Sequence, residues 1–501
     1  MKTLLINPPR QSCEKEMPLG IASIAALLKS KGYEVNILDA DILNYSLNEI
    51  KDYIKITKPD VVGVSFFTYD RFVAFKIAHF AKEYGAVVIG GGHHISALPN
   101  DVLLNVNDFD FVVIGEGELS TLELHDCLNT QKPRLNEIKG IGFRKNGVVK
   151  INQPRELIND LDDLPNPAWS LLPIKSYPRY SVMGSRGCPN DCIFCGSPKF
   201  WQRRIRTITP QKFINSIEEL VSTYGKKYFR FMDDTFTLNK EWAREICEEL
   251  LDRKIDIKWE CQGRVESADI NLFKLMKDAG CYKISFGIES GSQRILNIIK
   301  KNITKDMALK AINAARKAGI ERVGTFFMLG FPTETYAEME ETYDFSQILR
   351  GDMISFNPTS IYPGTELYQM IVSAGVLKKD FAWHRSGFYS KGFLTHDDIP
   401  ICETRQLNRT DIEDTAKRFY MRSFINRLYF LRNYKNWYYF SETQIGIGIS
   451  RKDLILFLNE VRLFLRQHSN LVKAPLLFII AFLISFLKLL RRVYRKNSHH
   501  H

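Results

Sequence analysis

Three cysteines within eight residues, Cys188-Pro-Asn-Asp-Cys192-Ile-Phe-Cys195, form the stretch of this chain best suited to chemistry. Their spacing, three residues and then two, puts three thiolates on one short loop. The count is informative. A structural zinc site closes its tetrahedron with four protein ligands, and a ferredoxin-type [4Fe–4S] cluster takes four thiolates. Three thiolates on a cubane leave one iron open to a small chelating ligand. The competing readings are a zinc knuckle and chance clustering. No fourth Cys or His lies near in sequence: the next downstream are Cys247 and Cys261, and His125 is far upstream.

The elements that must carry this loop read as a strand–helix alternation over residues 180–400. Strands are expected at 180–183, 228–232, 257–262, 283–288, 322–329 and 354–361. In order they lead into the cysteine loop, Asp233-Asp234, Arg264, Glu289-Ser290-Gly291, Gly330-Phe-Pro332 and Tyr362-Pro-Gly-Thr365. Chemistry gathered at the carboxyl ends of parallel strands is the barrel pattern, and six repeats predict a partial (β/α)6 barrel. Residues 1–145 show a second alternation, with strands at 4–7, 34–38, 61–65, 86–89 and 109–114 and helices at 20–31, 47–56 and 72–84. That order predicts an α/β unit with an open, Rossmann-like parallel sheet. Two turns after its strands are Gly-rich, Gly90-Gly91-Gly92 and Gly115-Glu116-Gly117-Glu118. Ligands of such sheets bind outside the carboxyl strand ends, where small residues let backbone N–H groups approach phosphate or ribose. Residues 146–179 read as a linker. Within it, Asp160 to Pro173 mixes breakers with an apolar anchor, as a strap across both units would.

At 501 residues the chain has room for two or three domains. A hydrophobic content of 45% and a charged content of 25% fit globular protein. Nine cysteines in this length are not a disulfide framework, and Cys13, Cys127, Cys247, Cys261, Cys281 and Cys402 are expected as small buried hydrophobes. The N-terminus begins directly as a strand and lacks a signal peptide's apolar core. Reduced thiols in a metal loop imply a cytoplasmic setting. The three terminal histidines resemble part of an expression tag and are set aside.

The net charge of +12 is unevenly placed, because residues 401–501 hold 18 Lys and Arg against 7 Asp and Glu. Residues 401–497 read as a helical C-terminal region. Its stretch 408–439 interleaves Arg418, Arg422, Arg427 and Arg432 with aromatics, which fits either nucleic acid or a cap on the barrel. Residues 474–487 form an apolar run of 14 between Lys473 and Lys488. A spanning helix needs about 20 such residues. A helix lying in an anionic membrane surface fits better, with a buried helix of the C-terminal region as the alternative.

The triad Cys188-x3-Cys192-x2-Cys195, with Phe194 before its last cysteine, resembles that of the radical S-adenosylmethionine (SAM) enzymes. Asn7-Pro-Pro, Pro18-Leu-Gly-Ile-Ala, Gly90-Gly-Gly-His93-His94 and Gly115-Glu-Gly-Glu118, in that order, resemble the cobalamin-binding domain that precedes the radical domain in one large subfamily. The resemblance implies that the three cysteines hold a [4Fe–4S] cluster whose open iron takes the methionyl amine and carboxylate of SAM. It places Phe194 beside SAM, Asp233 and Asp234 where a Gly-Gly-Glu-type motif receives the amine, and Arg264 on the carboxylate. Glu289 and Ser290 fall on the ribose side, and Gly330 and Pro332 on the adenine side. Cobalamin would be cradled by Ser65, Gly90, Gly91, Gly92, Gly115, Glu116 and Gly117. There is a departure: mutase-type cobalamin domains carry Asp-x-His-x-x-Gly after the first strand, and here the stretch reads Arg10-Gln-Ser-Cys-Glu-Lys-Glu. A corrinoid would then lack that lower histidine, with His93 and His94 expected as a solvated loop pair. A sheet that only docks substrate is the alternative.

The function so implied is a cobalamin-dependent radical SAM methyltransferase. A 5′-deoxyadenosyl radical would abstract hydrogen from an unactivated carbon, and methylcobalamin would supply the methyl group. A low-potential donor of flavodoxin or ferredoxin type would supply electrons. The charged, apolar tail suggests a lipid or isoprenoid substrate and peripheral attachment at the inner membrane face. Nucleic acid is disfavoured, since the excess charge lies beside the apolar run. The alternatives are radical cyclisation or oxidation with cobalamin as redox partner, and a non-catalytic iron–sulfur or RNA-binding protein.

Overall fold

The computed structural model of the chain describes residues 1–10, 15–378, 381–385, 399–403 and 407–430, with side chains to 423. The apolar run at 474–487 and residues 431–439 of the basic, aromatic stretch lie outside these residues. Among the described residues no helix is long and apolar enough to cross a membrane.

The first unit alternates β1 (Lys2–Asn7), α1 (Leu19–Ser30), β2 (Glu34–Asp39), α2 (Leu47–Thr57), β3 (Val61–Ser65), α3 (Arg71–Glu83) and β4 (Val87–Gly91). Then come α4 (His93–Ala97), α5 (Pro99–Asn105), β5 (Phe111–Val113), α6 (Gly117–Thr130), β6 (Ile141–Lys145) and β7 (Val148–Ile151). The strand order is β2-β1-β3-β4-β5-β6-β7. Strands β1 to β5 run parallel, and their near-continuous apolar sequences suit strands covered on both faces by helices. The sheet does not end at the strand expected over 109–114. An antiparallel hairpin, β6–β7, extends it through Asn146 and Gly147, both at positive φ. Asn-Gly between apolar runs is a strong hairpin signal, and it moves the end of this sheet into the stretch read as linker.

The second unit contains β8 (Tyr180–Val182), β9 (Ser185–Arg186), α7 (Ser197–Phe200), β10 (Arg206–Thr207), α8 (Pro210–Tyr224), β11 (Tyr228–Phe231), α9 (Lys240–Asp252) and β12 (Lys258–Gly263). It continues with α10 (Ile270–Asp278), β13 (Cys281–Glu289), α11 (Gln293–Ile298), α12 (Lys305–Lys317), β14 (Arg322–Leu329), α13 (Tyr336–Leu349), β15 (Met353–Pro358) and α14 (Glu366–Ser373). Six of these strands form one parallel sheet in the order β15-β14-β13-β12-β11-β8, as the six repeats predict for a partial barrel.

Both edges of that sheet are covered. At β8, the Ser181 N–H donates to Met17 Sδ at 3.2 Å. Helix α1 buries Ile21, Ala22, Ala25 and Leu28 in a core continuous with Tyr180, Phe213 and Trp259 of the barrel, so the units share one apolar interior. At β15 lies α15 (Arg409–Phe430). Its Phe419 packs on Phe356 and Tyr343, and its Tyr420 hydroxyl accepts from the Phe356 N–H at 2.9 Å. Arg418 and Arg422 reach Glu340. The described part of the basic, aromatic stretch is therefore a barrel cap. The strap touches both units: the Ala168 N–H donates to the Ala22 carbonyl and the Tyr177 hydroxyl to Asp39 of the first, while Lys212 of α8 donates to the strap carbonyls of Asp162 and Leu164. Cys127, Cys247, Cys261, Cys281 and Cys402 are buried free thiols.

Replacing Tyr420 by Phe leaves the buried Phe356 N–H without its acceptor. The expected cost is about 1–3 kcal/mol, read as a lower urea midpoint at unchanged slope.

Candidate functional site

The cysteine loop is an excursion between two short strands. Ser185 and Arg186 of β9 pair antiparallel with Thr207 and Arg206 of β10, and residues 187–205 form the hairpin they close. Gly187 sits at φ +101°, and a Cβ there would collide with the Arg204 carbonyl. The chain thus enters the loop in a conformation that favours glycine. Cys192 is buried, while Cys188 and Cys195 are partly exposed. Asn190 donates to Cys188 Sγ at 3.3 Å, and Arg264 Nη1 to Cys192 Sγ at 3.6 Å. Burial pushes the Cys195 thiol up to about 12, so a thiolate there needs a cation beside it. Among the described residues no three His, Cys, Asp or Glu side chains converge as a single-ion site requires; thiolates on separate corners of a cube need no such convergence. Three soft sulfur donors on one loop fit an iron–sulfur cluster.

The barrel strand ends surround this loop. Asp233, after β11, is fully buried, and its Oδ1 accepts from the backbone N–H groups of Gly184 and Ser185 and from the Ser185 hydroxyl. Burial nevertheless pushes its carboxyl up to about 6. Its Oδ2 is buried with no protein partner, an acceptor that suits a cationic amine. Asp234 is exposed and accepts from the Ser197 hydroxyl at 2.6 Å. Arg264 is held by Glu266, the Lys301 carbonyl and Cys192 Sγ, which leaves part of its fork available. Glu289 stands at φ +74°, strained for a residue with a side chain, and its Oε1 pairs with buried Lys301 at 2.8 Å. The Ser290 hydroxyl is engaged by Thr342 and the Ser292 N–H, so it fixes the strand end to α13. Gly330, at φ +84°, and Phe331 both donate to Glu334 Oε2. Pro332 follows in the turn, and Phe331 meets Phe194 of the cysteine loop at 5.6 Å.

In the first sheet Ser65 and Gly91 lie side by side at the ends of β3 and β4. Gly91 and Gly115 face open space, as a cradle for a large ligand requires. Gly92, at φ +97°, is pressed against the Phe66 backbone, Gly90 against Phe109 and Ile95, and Gly117 against Ile24. Glu116 faces the barrel. Its oxygens take Arg186 Nη1 at 2.7 Å, Arg206 Nη1 at 2.9 Å and the Ile158 N–H at 2.8 Å. The histidine pair is not a solvated loop. Both residues open α4; His93 is exposed, stacked on Phe67 and against Phe200 of α7. His94 is fully buried beside Thr68 and Trp383, and burial lowers its imidazole to about 3. The carboxyl ends of the first sheet therefore abut the cysteine hairpin.

Two family models match the chain, the Radical SAM superfamily over residues 182–346 and the B12 binding domain over residues 14–124. An uncharacterized methyltransferase of Pyrococcus horikoshii is 36% identical over 390 residues, covering 75% of this chain and 84% of that protein. The chain belongs to the radical SAM superfamily, in its cobalamin-dependent branch. A cytidylyl-2-hydroxyethylphosphonate methyltransferase of Streptomyces wedmorensis is 29% identical over 78% of this chain and 85% of that one. An anaerobic magnesium-protoporphyrin IX monomethyl ester cyclase of Rubrivivax gelatinosus is 28% identical over 86% and 78%. Among solved structures, the cobalamin-dependent radical SAM enzyme OxsB superposes with a TM-score of 0.70 at 18% identity, covering 100% of this chain and 81% of that one. The radical SAM methyltransferase TsrM of Kitasatospora setae gives 0.67 at 16%, with 79% and 80% covered. These two show the fold. The cofactors of this radical SAM protein are a [4Fe–4S] cluster, SAM and cobalamin.

Sequence reasoning missed Lys301, Glu266, Glu334 and the Arg186–Arg206 pair. Glu334 carried a signal, a carboxylate four residues beyond a glycine turn. Burial pushes its carboxyl up to about 8, above the ordinary value of about 4.3. Between those values the folded chain holds more protons than the unfolded one, so this group makes stability fall as pH rises. Glu334→Gln keeps an acceptor for Gly330 and Phe331 and removes the titration. Urea unfolding at about pH 5 and 8 should show a shallower loss in the variant, by more than about 1 kcal/mol.

Proposed function

We propose that this radical SAM protein methylates an unactivated carbon of a small-molecule substrate. The observation carrying the proposal is the meeting of two sets of strand ends, with His93 of the first unit touching Phe200 and Glu116 touching Arg186 and Arg206 around the cysteine hairpin. In this reading Cys188, Cys192 and Cys195 hold the cluster. The unpartnered Asp233 Oδ2, with Asp234, receives the methionyl amine, and the remaining fork of Arg264 receives the carboxylate. Glu289, oriented by Lys301 and backed by Ser290, faces the ribose, while Phe194 and the Gly330–Pro332 turn flank the adenine. Ser65, Gly91 and Gly115 form the floor for the corrinoid, and Gly90, Gly92 and Gly117 let their turns pack closely. When bound, the cluster supplies the electron that cleaves SAM, and the corrinoid supplies the methyl group. Methyltransferase names among the relatives support methyl transfer. The cyclase relative supports a second reading, ring closure or oxidation with cobalamin as redox partner. Product mass separates them: the first adds a methyl group, the second removes hydrogen.

The cysteine assignment predicts about four irons per chain after anaerobic reconstitution and formation of 5′-deoxyadenosine from SAM with dithionite. Cys188→Ala, Cys192→Ala and Cys195→Ala should each abolish that product, and a tightly held zinc without iron would contradict the assignment. For the substrate class, a lipid or isoprenoid is supported by the 14-residue apolar run beside the basic tail. Deleting residues 473–496 should release the protein from anionic liposomes and leave SAM cleavage intact. A full-length chain that never binds them makes a soluble metabolite the better substrate.

A further inference from the structure

The two arginines that close the cysteine hairpin stand directly opposite one another. Arg186 of β9 and Arg206 of β10 are register partners in a ladder two residues long. Like charges directly opposite on adjacent strands repel, and so short a ladder has few backbone hydrogen bonds to oppose that. Both guanidinium groups are largely buried, with side chains 12% and 9% exposed, so solvent screens them poorly. What makes the pairing tolerable comes from the other unit. Glu116, buried in the turn after β5, gives one oxygen to Arg186 and the other to Arg206. Glu118, in the first turn of α6, takes the second arm of Arg186 at 2.7 Å and is itself held by the Ser23 hydroxyl at 2.8 Å. The hairpin holding Cys188, Cys192 and Cys195 is thus closed by carboxylates of the Gly115–Glu118 turn, and the open face of Gly115 belongs to the proposed corrinoid floor.

We propose that Glu116 and Glu118 are positioning residues that couple occupancy of the corrinoid floor to closure of the cysteine hairpin. The inference rests on the corrinoid reading of that floor. A ligand that orders the Gly115–Glu118 turn fixes the two carboxylates, and these neutralise the opposed arginines and hold β9 against β10. Coupling of this kind is reciprocal: a seated cluster steadies the turn in the same measure as a seated corrinoid steadies the hairpin.

Hydrogen–deuterium exchange on the full chain, reconstituted anaerobically with its cluster, tests this with and without hydroxocobalamin, whose uptake is followed by its visible spectrum. In the unaltered protein, peptides spanning residues 187–205 should exchange several-fold more slowly when hydroxocobalamin is bound. In Glu116→Gln, compared at equal hydroxocobalamin loading read from the visible spectrum, the hairpin should exchange fast in both states. In Glu116→Gln/Arg206→Gln the opposed charges are gone, so the hairpin should exchange slowly in both states, a rescue that general loss of packing would not give. Hairpin exchange indifferent to bound hydroxocobalamin in the unaltered protein would overturn the proposal, as would a double variant no slower than the single one. A chain that takes up no hydroxocobalamin would overturn the corrinoid reading and this inference with it, and the spectral titration tells that result from failure of the coupling alone.

Discussion

Arg186 lies two residues before the first cysteine, and both arms of its guanidinium are held by carboxylates of another folding unit. Much of the molecule follows from that contact. Charges this deeply buried are tolerable only when paired, since removing one partner of a buried pair typically costs 3–5 kcal/mol. The two units therefore cannot separate without exposing or orphaning these charges. A second set repeats the constraint along β8, where Glu16 of the first unit meets Arg179 and Arg230 of the barrel. Between the two sets, α1 buries its apolar face in the barrel's own core. Apolar burial supplies the adhesion, and the ion pairs fix which surfaces face each other.

That orientation explains why the fold suits chemistry shared between two cofactors. Each sheet presents small or polar residues at the carboxyl ends of parallel strands, where backbone N–H groups are available. Packed by any other faces, the two sets of ends would point to separate solvent-filled mouths. Here His93, at the end of β4, touches Phe200 in the helix that follows Cys195. Phe194 within the cysteine loop touches Phe331 on the far side of the barrel mouth. The loop is thus in contact with the first sheet on one side and with the turn after β14 on the other.

Much of this was legible in the sequence because the relevant signals are local. Three cysteines at fixed spacing, glycines after apolar runs, and carboxylates closing strands are each readable within about ten residues. The six parallel strands of the barrel lie in the expected order for the same reason. The failures are of two kinds. Asn146-Gly147 was a local signal that was passed over, and it cost the last hairpin of the first sheet. The arginine partners of Glu116, and the contact of Arg264 with Cys192, were not local at all. Glu116 reads as part of a Gly-rich ligand turn, yet Arg206 is ninety positions away in sequence, and only folding brings the two together. His94 reads as a polar loop residue, but α4 turns it inward against Trp383, which lies far along the chain. Long-range pairing of charges leaves no periodic trace, so a single sequence does not disclose it.

The central claim is that cluster and corrinoid sit on two facing sets of strand ends in one molecule. Electron paramagnetic resonance on protein carrying both the reduced cluster and cob(II)alamin tests it most directly. The account predicts that the cobalt signal relaxes markedly faster when the cluster is reduced than when it is oxidised and diamagnetic, as two paramagnets across one interface must. Cobalt relaxation unchanged by the state of the cluster, with both centres fully loaded, would contradict it.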